Sequence, residues 1–178
     1  ENSDYNSSSE DLIEHQDCSV ISYAIQRSTP DIVRILIING FPVDDIDNNI
    51  GMYPIHYASC LMPSYIVKMI AARTCHINDI NASGETPLYL AIKLGRSQIA
   101  IDLMKNKADP LIRGPSNNTV LHIAVITCDA SVIREIYKYC DIINFQNNSK
   151  NTPLHEAINI NRADIIPLLM SMGSDTRI

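Results

Sequence analysis

The stretch Thr86-Pro87-Leu88-Tyr89-Leu90-Ala91 decides the fold, because variants of it recur along the chain at a fixed period. The other four copies are SVISYA (19–24), YPIHYA (53–58), TVLHIA (119–124) and TPLHEA (152–157). Their closing alanines, at positions 24, 58, 91, 124 and 157, are spaced by 34, 33, 33 and 33 residues. Self-similarity with a period of roughly 20 to 50 residues is typical of solenoid and propeller proteins. The sequence therefore predicts five copies of one structural unit.

Each copy of the stretch has the composition of a helix start. Thr can cap free backbone N–H groups, Pro fits the first helical position, and Leu or Ile begins a buried face. A second apolar-periodic stretch follows every alanine, at residues 31–38, 64–71, 97–104, 130–137 and 163–170. Asn- and Asp-rich segments between the units favour tight turns. Every unit is thus predicted to be a pair of short helices followed by a hairpin turn.

The ends of the second helices test this interpretation. Gly40 and Gly173 supply the left-handed conformation that ends a helix, whereas Lys107 and Cys140 occupy that place in repeats three and four. We expect some backbone strain at both of these residues. Pro167 lies inside the last apolar stretch, so that helix is expected to be kinked or to start late.

The repeated motif closely resembles that of the ankyrin repeat family, over about residues 12–178. The first repeat is the weakest match, with Ser22 in the position of the motif histidine and no proline. The resemblance implies an all-α solenoid of five helix-turn-helix units joined by β-hairpin-like loops. Residues 1–11 are expected to be an acidic, flexible segment. The last repeat stops at Ile178 with no further unit, so either repeat five serves as a cap or the natural chain continues. Because the chain also lacks a starting Met, we expect it to be part of a longer protein. The expected repeats span about residues 14–46, 47–80, 81–113, 114–146 and 147–178.

The histidines and cysteines do not indicate a metal site. His56, His122 and His155 occupy the family's motif position, where the resemblance implies a hydrogen bond to neighbouring loop backbone. His15 and His76 have no Cys or carboxylate partner at metal-ligand spacing, and both are expected at the surface. The five cysteines are odd in number and lack CxxC spacing. No metal, cofactor or disulfide framework is predicted.

Composition and charge exclude several classes of function. The net charge is −6. Six acidic residues and no basic residue precede Arg27, whereas the rest of the chain is balanced, with 14 acidic and 14 basic residues. Nucleic-acid binding needs a basic stripe, and the sequence has none. No apolar run approaches the roughly 20 residues that span a bilayer. Because no catalytic motif stands out, we predict a non-enzymatic protein.

The resemblance implies an extended concave surface that binds another protein, built by the hairpin tips and the ends of the first helices. Four of the expected contact residues are apolar and lie in adjacent repeats, which predicts a hydrophobic strip for the partner. The alternative is that this strip packs between neighbouring first helices, and the sequence does not separate the two interpretations. The expected partner-binding residues are Met52, Leu61, Glu85, Lys93, Leu94, Asn118, Ile126, Thr127 and Asn151.

The amino-acid bias suggests a source and, with it, a partner. Ile outnumbers Leu by 29 to 12, Asn is abundant and Trp is absent, which resembles the ankyrin-repeat proteins of poxviruses. That resemblance implies a host-range or immune-modulating protein that binds a host protein in the cytoplasm. It also implies a possible cullin ubiquitin ligase partner, recruited through an F-box-like segment outside these residues. Occlusion of a target without degradation, and a cellular or parasite ankyrin scaffold, are the alternatives.

Overall fold

Five pairs of consecutive helices make up the fold in the computed structural model, which describes residues 19–48 and 50–177. Within these residues, extended backbone pairs only at an isolated bridge between Asp47 and Met52. The predicted all-α solenoid of five helix-turn-helix units is confirmed. The first helices of the five units are α1 (Val20–Gln26), α3 (Pro54–Leu61), α5 (Pro87–Lys93), α7 (Val120–Thr127) and α9 (Pro153–Asn159). The second helices are α2 (Pro30–Ile38), α4 (Ser64–Ala71), α6 (Ser97–Lys105), α8 (Ala130–Tyr139) and α10 (Ile166–Ser171).

The repeated motif starts the first helices by capping them. The Thr86 hydroxyl accepts a hydrogen bond from the backbone N–H of Tyr89 at 3.1 Å, and Pro87 follows it in the first turn. Ser19 caps α1 in the same way, through the N–H of Ser22 at 3.2 Å. These contacts satisfy N–H groups that have no partner within the helix.

Helices of the same rank pack against each other in chain order. Each first helix contacts the first helix of the next unit, and α2, α4, α6 and α8 form a second layer in the same manner. The motif alanines from repeats two to five are fully buried, because a methyl group lets neighbouring first helices approach closely. A continuous apolar core therefore runs the length of the stack between the two layers.

Tight hairpin-like loops connect the units. Asn81 accepts hydrogen bonds through Oδ1 from the backbone N–H groups of Ser83 and Glu85, at 2.9 and 3.0 Å. Asn147 does the same for Ser149 and Asn151. An Asn side chain that bonds backbone two residues ahead is a common turn device. The Asn-rich composition of these segments thus has a local structural cause.

Backbone strain at the ends of the second helices occurs at one of the two predicted residues. Lys107 adopts a left-handed φ of 72°, comparable with 81° at Gly40 and 93° at Gly173. The prediction for Cys140 is wrong: its φ is −162°, an extended conformation open to any residue. Helix α8 extends to Tyr139 and leaves directly into extended chain, so no left-handed residue is needed.

The last helix starts late, which is one of the two outcomes predicted from Pro167. Helix α10 begins at Ile166, so the proline lies in its first turn, where its missing N–H removes no helical hydrogen bond. The predicted start at Ala163 is three residues too early, because a proline is not tolerated in the second turn.

The predictions for the acidic segment 1–11 and for a hairpin that starts at Leu12 lie outside the described residues. The proposed limits of the five repeats remain predictions. None of the helices in the described part of the chain combines the length and the apolar character needed to cross a membrane.

Candidate interaction surface

Two of the motif histidines, His56 in α3 and His122 in α7, join their helix to the loop of the following repeat. His56 accepts a hydrogen bond at Nδ1 from the N–H of Tyr53 and donates through Nε2 to the carbonyl of Asp79, at 3.1 and 3.0 Å. His122 makes the same pair of contacts, with Thr119 at 3.2 Å and the Asn151 carbonyl at 2.9 Å. Both rings are fully buried. Because both nitrogens are already used by backbone groups, these side chains hold repeats together.

Burial controls the protonation of these two histidines. Desolvation lowers the pKa of His56 and of His122, and the backbone carbonyl that each ring faces offsets only part of this effect. A second ring proton would also point at a backbone N–H, which is already a donor. The neutral ring, protonated at Nε2, is therefore the form that fits the fold.

His155 has a different environment although it occupies the same motif position. Its Nδ1 accepts from the N–H of Thr152 at 3.2 Å and contacts the Thr152 hydroxyl at 2.8 Å. The ring is half-buried and borders a groove together with Leu154, Ile158 and Met170. In the part of the chain that the structure describes, no loop carbonyl binds this ring in the way that His56 and His122 are bound.

Two arginines close the other end of the first helices, and sequence reasoning missed both. Arg96 donates to the carbonyls of Ser59 and Met62 at 2.9 and 2.6 Å, where helix α3 ends. Arg162 donates to the carbonyls of Val125 and Cys128 at 3.2 and 3.1 Å, where α7 ends. Both residues lie five positions after their motif alanine, and that recurrence was the available signal.

These arginines satisfy carbonyls that have no partner inside the helix, and they fix the position of the helix ends. Burial lowers the pKa of Arg96, whereas a hydrogen-bonded Asp164 raises that of Arg162. Between them, the end of α5 is held by Thr127, whose hydroxyl donates to the Ile92 carbonyl at 2.6 Å. Thr127, predicted to bind a partner, thus already has a structural contact.

Three of the predicted apolar contact residues are well exposed. Leu61, Leu94 and Ile126 leave 46%, 54% and 40% of their surface accessible. They lie at or next to the C-terminal ends of three consecutive first helices, α3, α5 and α7, which pack side by side. We call these three residues the apolar strip. Ile160, in the equivalent place after α9, is also exposed, at 41%.

Met52, predicted to belong to the strip, lies apart from it. Its side chain is half-buried and packs on the core, and its backbone carbonyl accepts from the N–H of Asp47 at 2.8 Å. Asn118 and Asn151 are also half-buried. Asn118 accepts from the side-chain amide of Asn147 at 2.9 Å, and Asn151 donates to Glu156 at 3.0 Å. These three residues lie at the hairpins, whereas the strip lies at the C-terminal ends of the first helices.

An ion pair flanks the apolar strip. Lys93 lies next to Leu94, and its ammonium group is 2.6 Å from Oε1 of Glu85. Glu85 is only 5% exposed, while just over half of the Lys93 side chain is accessible. The hydrogen bond that Lys93 donates to this carboxylate raises the pKa of the lysine. The lysine is thus oriented along the surface, and Glu85 positions it.

The prediction that His76 has no Cys or carboxylate partner at metal-ligand spacing is wrong for the folded chain. Its Nδ1 lies 2.7 Å from a carboxylate oxygen of Asp79, and the side chains of Cys75 and Asp44 converge with it within 4.8 Å. Asp44 comes from the preceding repeat, so local spacing could not reveal this cluster. The described cysteines Cys60, Cys75, Cys128 and Cys140 are free thiols, and Cys18 lies outside the described residues.

The chain is similar to known ankyrin repeat proteins over most of its length. A sequence profile for ankyrin repeats (three copies) matches residues 21–114 and 103–178. An ankyrin repeat protein of Acanthamoeba polyphaga mimivirus is 29% identical over 166 residues, which is 89% of this chain and 21% of that protein. An ankyrin repeat protein of variola virus is 25% identical over 133 residues, 75% of this chain and 23% of that protein.

A third relative is an ankyrin repeat protein of fowlpox virus, 29% identical over 163 residues, or 86% of this chain and 47% of that protein. The chain thus spans between about a fifth and a half of the length of these relatives. The predicted resemblance to poxviral repeat proteins is confirmed by these relatives. The profile and the relatives carry repeats of a fold that binds other proteins and is not itself catalytic.

Proposed function

Because this chain belongs to the ankyrin repeat family, we propose that it is the non-enzymatic target-binding part of a viral host-range or immune-modulating protein. Its concave surface binds a host protein, and the apolar strip of Leu61, Leu94 and Ile126 is the centre of that surface. The viral relatives support the proposed source and the proposed host partner.

The single observation that carries this proposal is the exposure of the strip. Large apolar side chains exposed on adjacent helices are unfavourable in water, and apolar patches on a protein surface mark interaction sites. Burying apolar area contributes about 25 cal/mol per Å², so covering three such side chains is a substantial gain. Interfaces commonly have an apolar centre of this type and a polar rim.

Polar groups of the proposed surface, both beside the strip and at the hairpins, are ordered before a partner arrives. Lys93 is held by the buried carboxylate of Glu85, and the hairpin edges at Asn118 and Asn151 already have intramolecular hydrogen bonds. Side chains that are ordered in the free protein lose less conformational entropy on binding. These groups therefore favour a partner with a carboxylate or carbonyl group facing Lys93, beside an apolar anchor.

The remaining parts of the proposal rest on the resemblance. Action in the host cytoplasm and a cullin ubiquitin ligase connection stay predictions, the latter through a segment outside these residues. If the ligase connection is absent, target binding alone would occlude the bound protein. Both outcomes need the same target-binding surface.

Affinity capture from mammalian cell lysate tests the proposal with three tagged proteins: the wild type, a Leu94→Ser/Ile126→Ser variant, and an Ile80→Ser/Leu111→Ser control. The control removes two residues of similar exposure, 56% and 51%, that lie in the connections between repeats. We expect a host protein to bind the wild type and the control, and to be lost from the strip variant. Direct titration of the purified host protein should show at least a tenfold loss of affinity, equivalent to about 1.4 kcal/mol.

Two results would contradict the proposal. If the control and the strip variant lose the host protein equally, the binding is non-specific hydrophobic capture. If both retain it fully, the binding surface lies elsewhere on the chain. Circular dichroism of each variant establishes that it is folded before binding is compared.

A further inference from the structure

A ladder of asparagines ties successive loops together at two places in the stack. Asn78 accepts through Oδ1 from the N–H of Asp109 at 2.8 Å and donates through Nδ2 to the carbonyl of Lys107 at 3.3 Å. Asn144 makes the equivalent contacts with Asp175 and Gly173, at 2.8 and 3.2 Å. Each Asn lies 20 residues after its motif alanine. An amide suits this place because it both accepts and donates.

Asp44 occupies the ladder position in repeat one, where it cannot make the same pair of contacts. An ionised carboxylate only accepts hydrogen bonds, so it has no donor for the loop carbonyl. The N–H of His76 is the equivalent of the N–H groups that Asn78 and Asn144 accept from. It donates instead to the Thr74 hydroxyl of its own loop, at 3.1 Å. Asp44 accepts instead from the Thr74 hydroxyl at 2.5 Å, and its second oxygen lies 3.8 Å from the sulfur of Cys75. The two hydrogen bonds of the ladder therefore do not explain why residue 44 is an aspartate.

The His76 ring is held in place by two further residues. Its Nδ1 lies 2.7 Å from Oδ2 of Asp79, and the ring stacks on Tyr53 with 3.9 Å between centroids and 8° between planes. Asp79 is itself fixed, because its backbone carbonyl accepts from His56 of the motif. A carboxylate bound to one ring nitrogen orients a histidine and makes the other nitrogen a better ligand.

We propose that Asp44, Cys75 and His76 form a binding site for a thiophilic divalent metal ion, Zn²⁺ in the first place, at the junction of repeats one and two. Their ligand atoms all lie within 4.8 Å of one another. Thiolate, imidazole and carboxylate are the protein ligands of zinc, and a sulfur ligand disfavours Mg²⁺ and Ca²⁺. A water molecule completes the tetrahedron, and Asp79 orients His76.

The distances fit this ion with small side-chain movements. Zinc bonds of about 2.3 Å to sulfur and about 2.1 Å to oxygen place those two atoms about 3.6 Å apart in a tetrahedron. The Cys75 sulfur and the nearer Asp44 oxygen are 3.8 Å apart. Cys75 is exposed, and Asp44 and His76 are half-buried, so an ion can reach all three. Coordination releases the thiol proton to solvent, and the thiolate and carboxylate then neutralise the charge of the ion.

Titration with Co²⁺ tests the site, because a cobalt–thiolate bond gives a near-ultraviolet charge-transfer band and tetrahedral cobalt gives visible bands. We expect one Co²⁺ per chain with both features, and displacement by one equivalent of Zn²⁺, which binds such ligands more tightly. Cys75→Ser should abolish the charge-transfer band. Cys140→Ser is the matched control and should retain it, since burial raises the pKa of that thiol to about 11.

Asp44→Asn separates metal binding from folding, because it introduces the amide found at Asn78 and Asn144. We expect it to lose at least tenfold in Zn²⁺ affinity while its melting temperature without metal is unchanged or higher. Asp79→Asn should weaken binding by about tenfold through His76. The proposal is overturned if the wild type gives no charge-transfer band, if Cys75→Ser retains it, or if Asp44→Asn binds Zn²⁺ as tightly as the wild type.

Discussion

The two ends of each first helix differ in what their side chains do. At the N-terminal end the same contacts recur from repeat to repeat, through a capping hydroxyl or a histidine that joins the next loop. At the C-terminal end the repeats diverge: Arg96, Thr127 and Arg162 hold the carbonyls, while the apolar strip remains exposed. The repeated end stabilises the stack, and the variable end is free to specify a partner. The following predictions test this division.

The largest effect on stability is expected from His122→Ala at the repeated end. The variant removes a fully buried ring, leaves the buried N–H of Thr119 without its acceptor, and breaks the contact between repeats to the carbonyl of Asn151, which then accepts only from the N–H of Asn147. We expect a loss of about 3 kcal/mol in the free energy of unfolding, measured by urea denaturation. His155→Ala is the internal comparison and should cost about 1 kcal/mol, because that ring is half-buried and joins no further loop. Equal losses for the two variants would show that the contact of His122 with the next loop does not contribute to the free energy of unfolding.

A smaller loss is expected from Arg96→Met at the variable end. The carbonyls of Ser59 and Met62 lose a charged donor, although water can reach part of this region. We expect a loss of about 2 kcal/mol. Arg96→Lys should recover less than half of it, because an ammonium group cannot span both carbonyls as a guanidinium does. Arg134→Met, at an exposed position of α8, is the control and should change stability by less than about 0.5 kcal/mol.

The repeated end was predictable from the sequence and most of the variable end was not. The Thr-Pro-Leu-His pattern encodes local events, a cap and a first turn, and so the starts of α3, α5 and α9 lie where the motif places them. Arg96 and Arg162 act across repeats on backbone atoms more than 30 residues away, and no local rule predicts such a contact. The cluster of Asp44, Cys75 and His76 was missed for the same reason, since it forms only when two loops stack.

The candidate surface was predicted in part. Positions relative to the motif alanine identified Leu61, Leu94 and Ile126, which the structure places on adjacent helix ends. The same rule does not distinguish side chains that are exposed from those that are buried or already hydrogen-bonded within the stack. Glu85 is buried beneath Lys93, and the Thr127 hydroxyl is used by the preceding repeat. Burial and hydrogen bonding of this kind depend on side-chain contacts across repeats, which the composition does not reveal.

Stability is expected to depend on pH through the buried histidines. Their folded pKa lies below the ordinary value of 6.5, so below that pH the unfolded chain takes up protons that the folded chain does not. The contribution is fully present above pH 6.5, is lost as the pH falls, and levels off below the folded pKa. Denaturation at pH 7.5 and 5.5 should therefore show lower stability at 5.5. A His56→Gln/His122→Gln variant should be less stable but less dependent on pH; an unchanged dependence would assign the effect to other groups.

The smallest effect on stability is expected from the apolar strip itself. Leu94 and Ile126 are 54% and 40% exposed, so Leu94→Ser and Ile126→Ser should each change the free energy of unfolding by less than about 0.5 kcal/mol. Leu88 lies in α5, the helix that ends just before Leu94, and it is fully buried. Leu88→Ala should therefore lower the free energy of unfolding by about 2 to 5 kcal/mol under the same conditions. A loss above about 2 kcal/mol for either serine variant would mean that the strip packs between first helices, and it would remove the strip as a binding surface. A small loss leaves the exposed leucine and isoleucine without a role in folding, and therefore available to a partner.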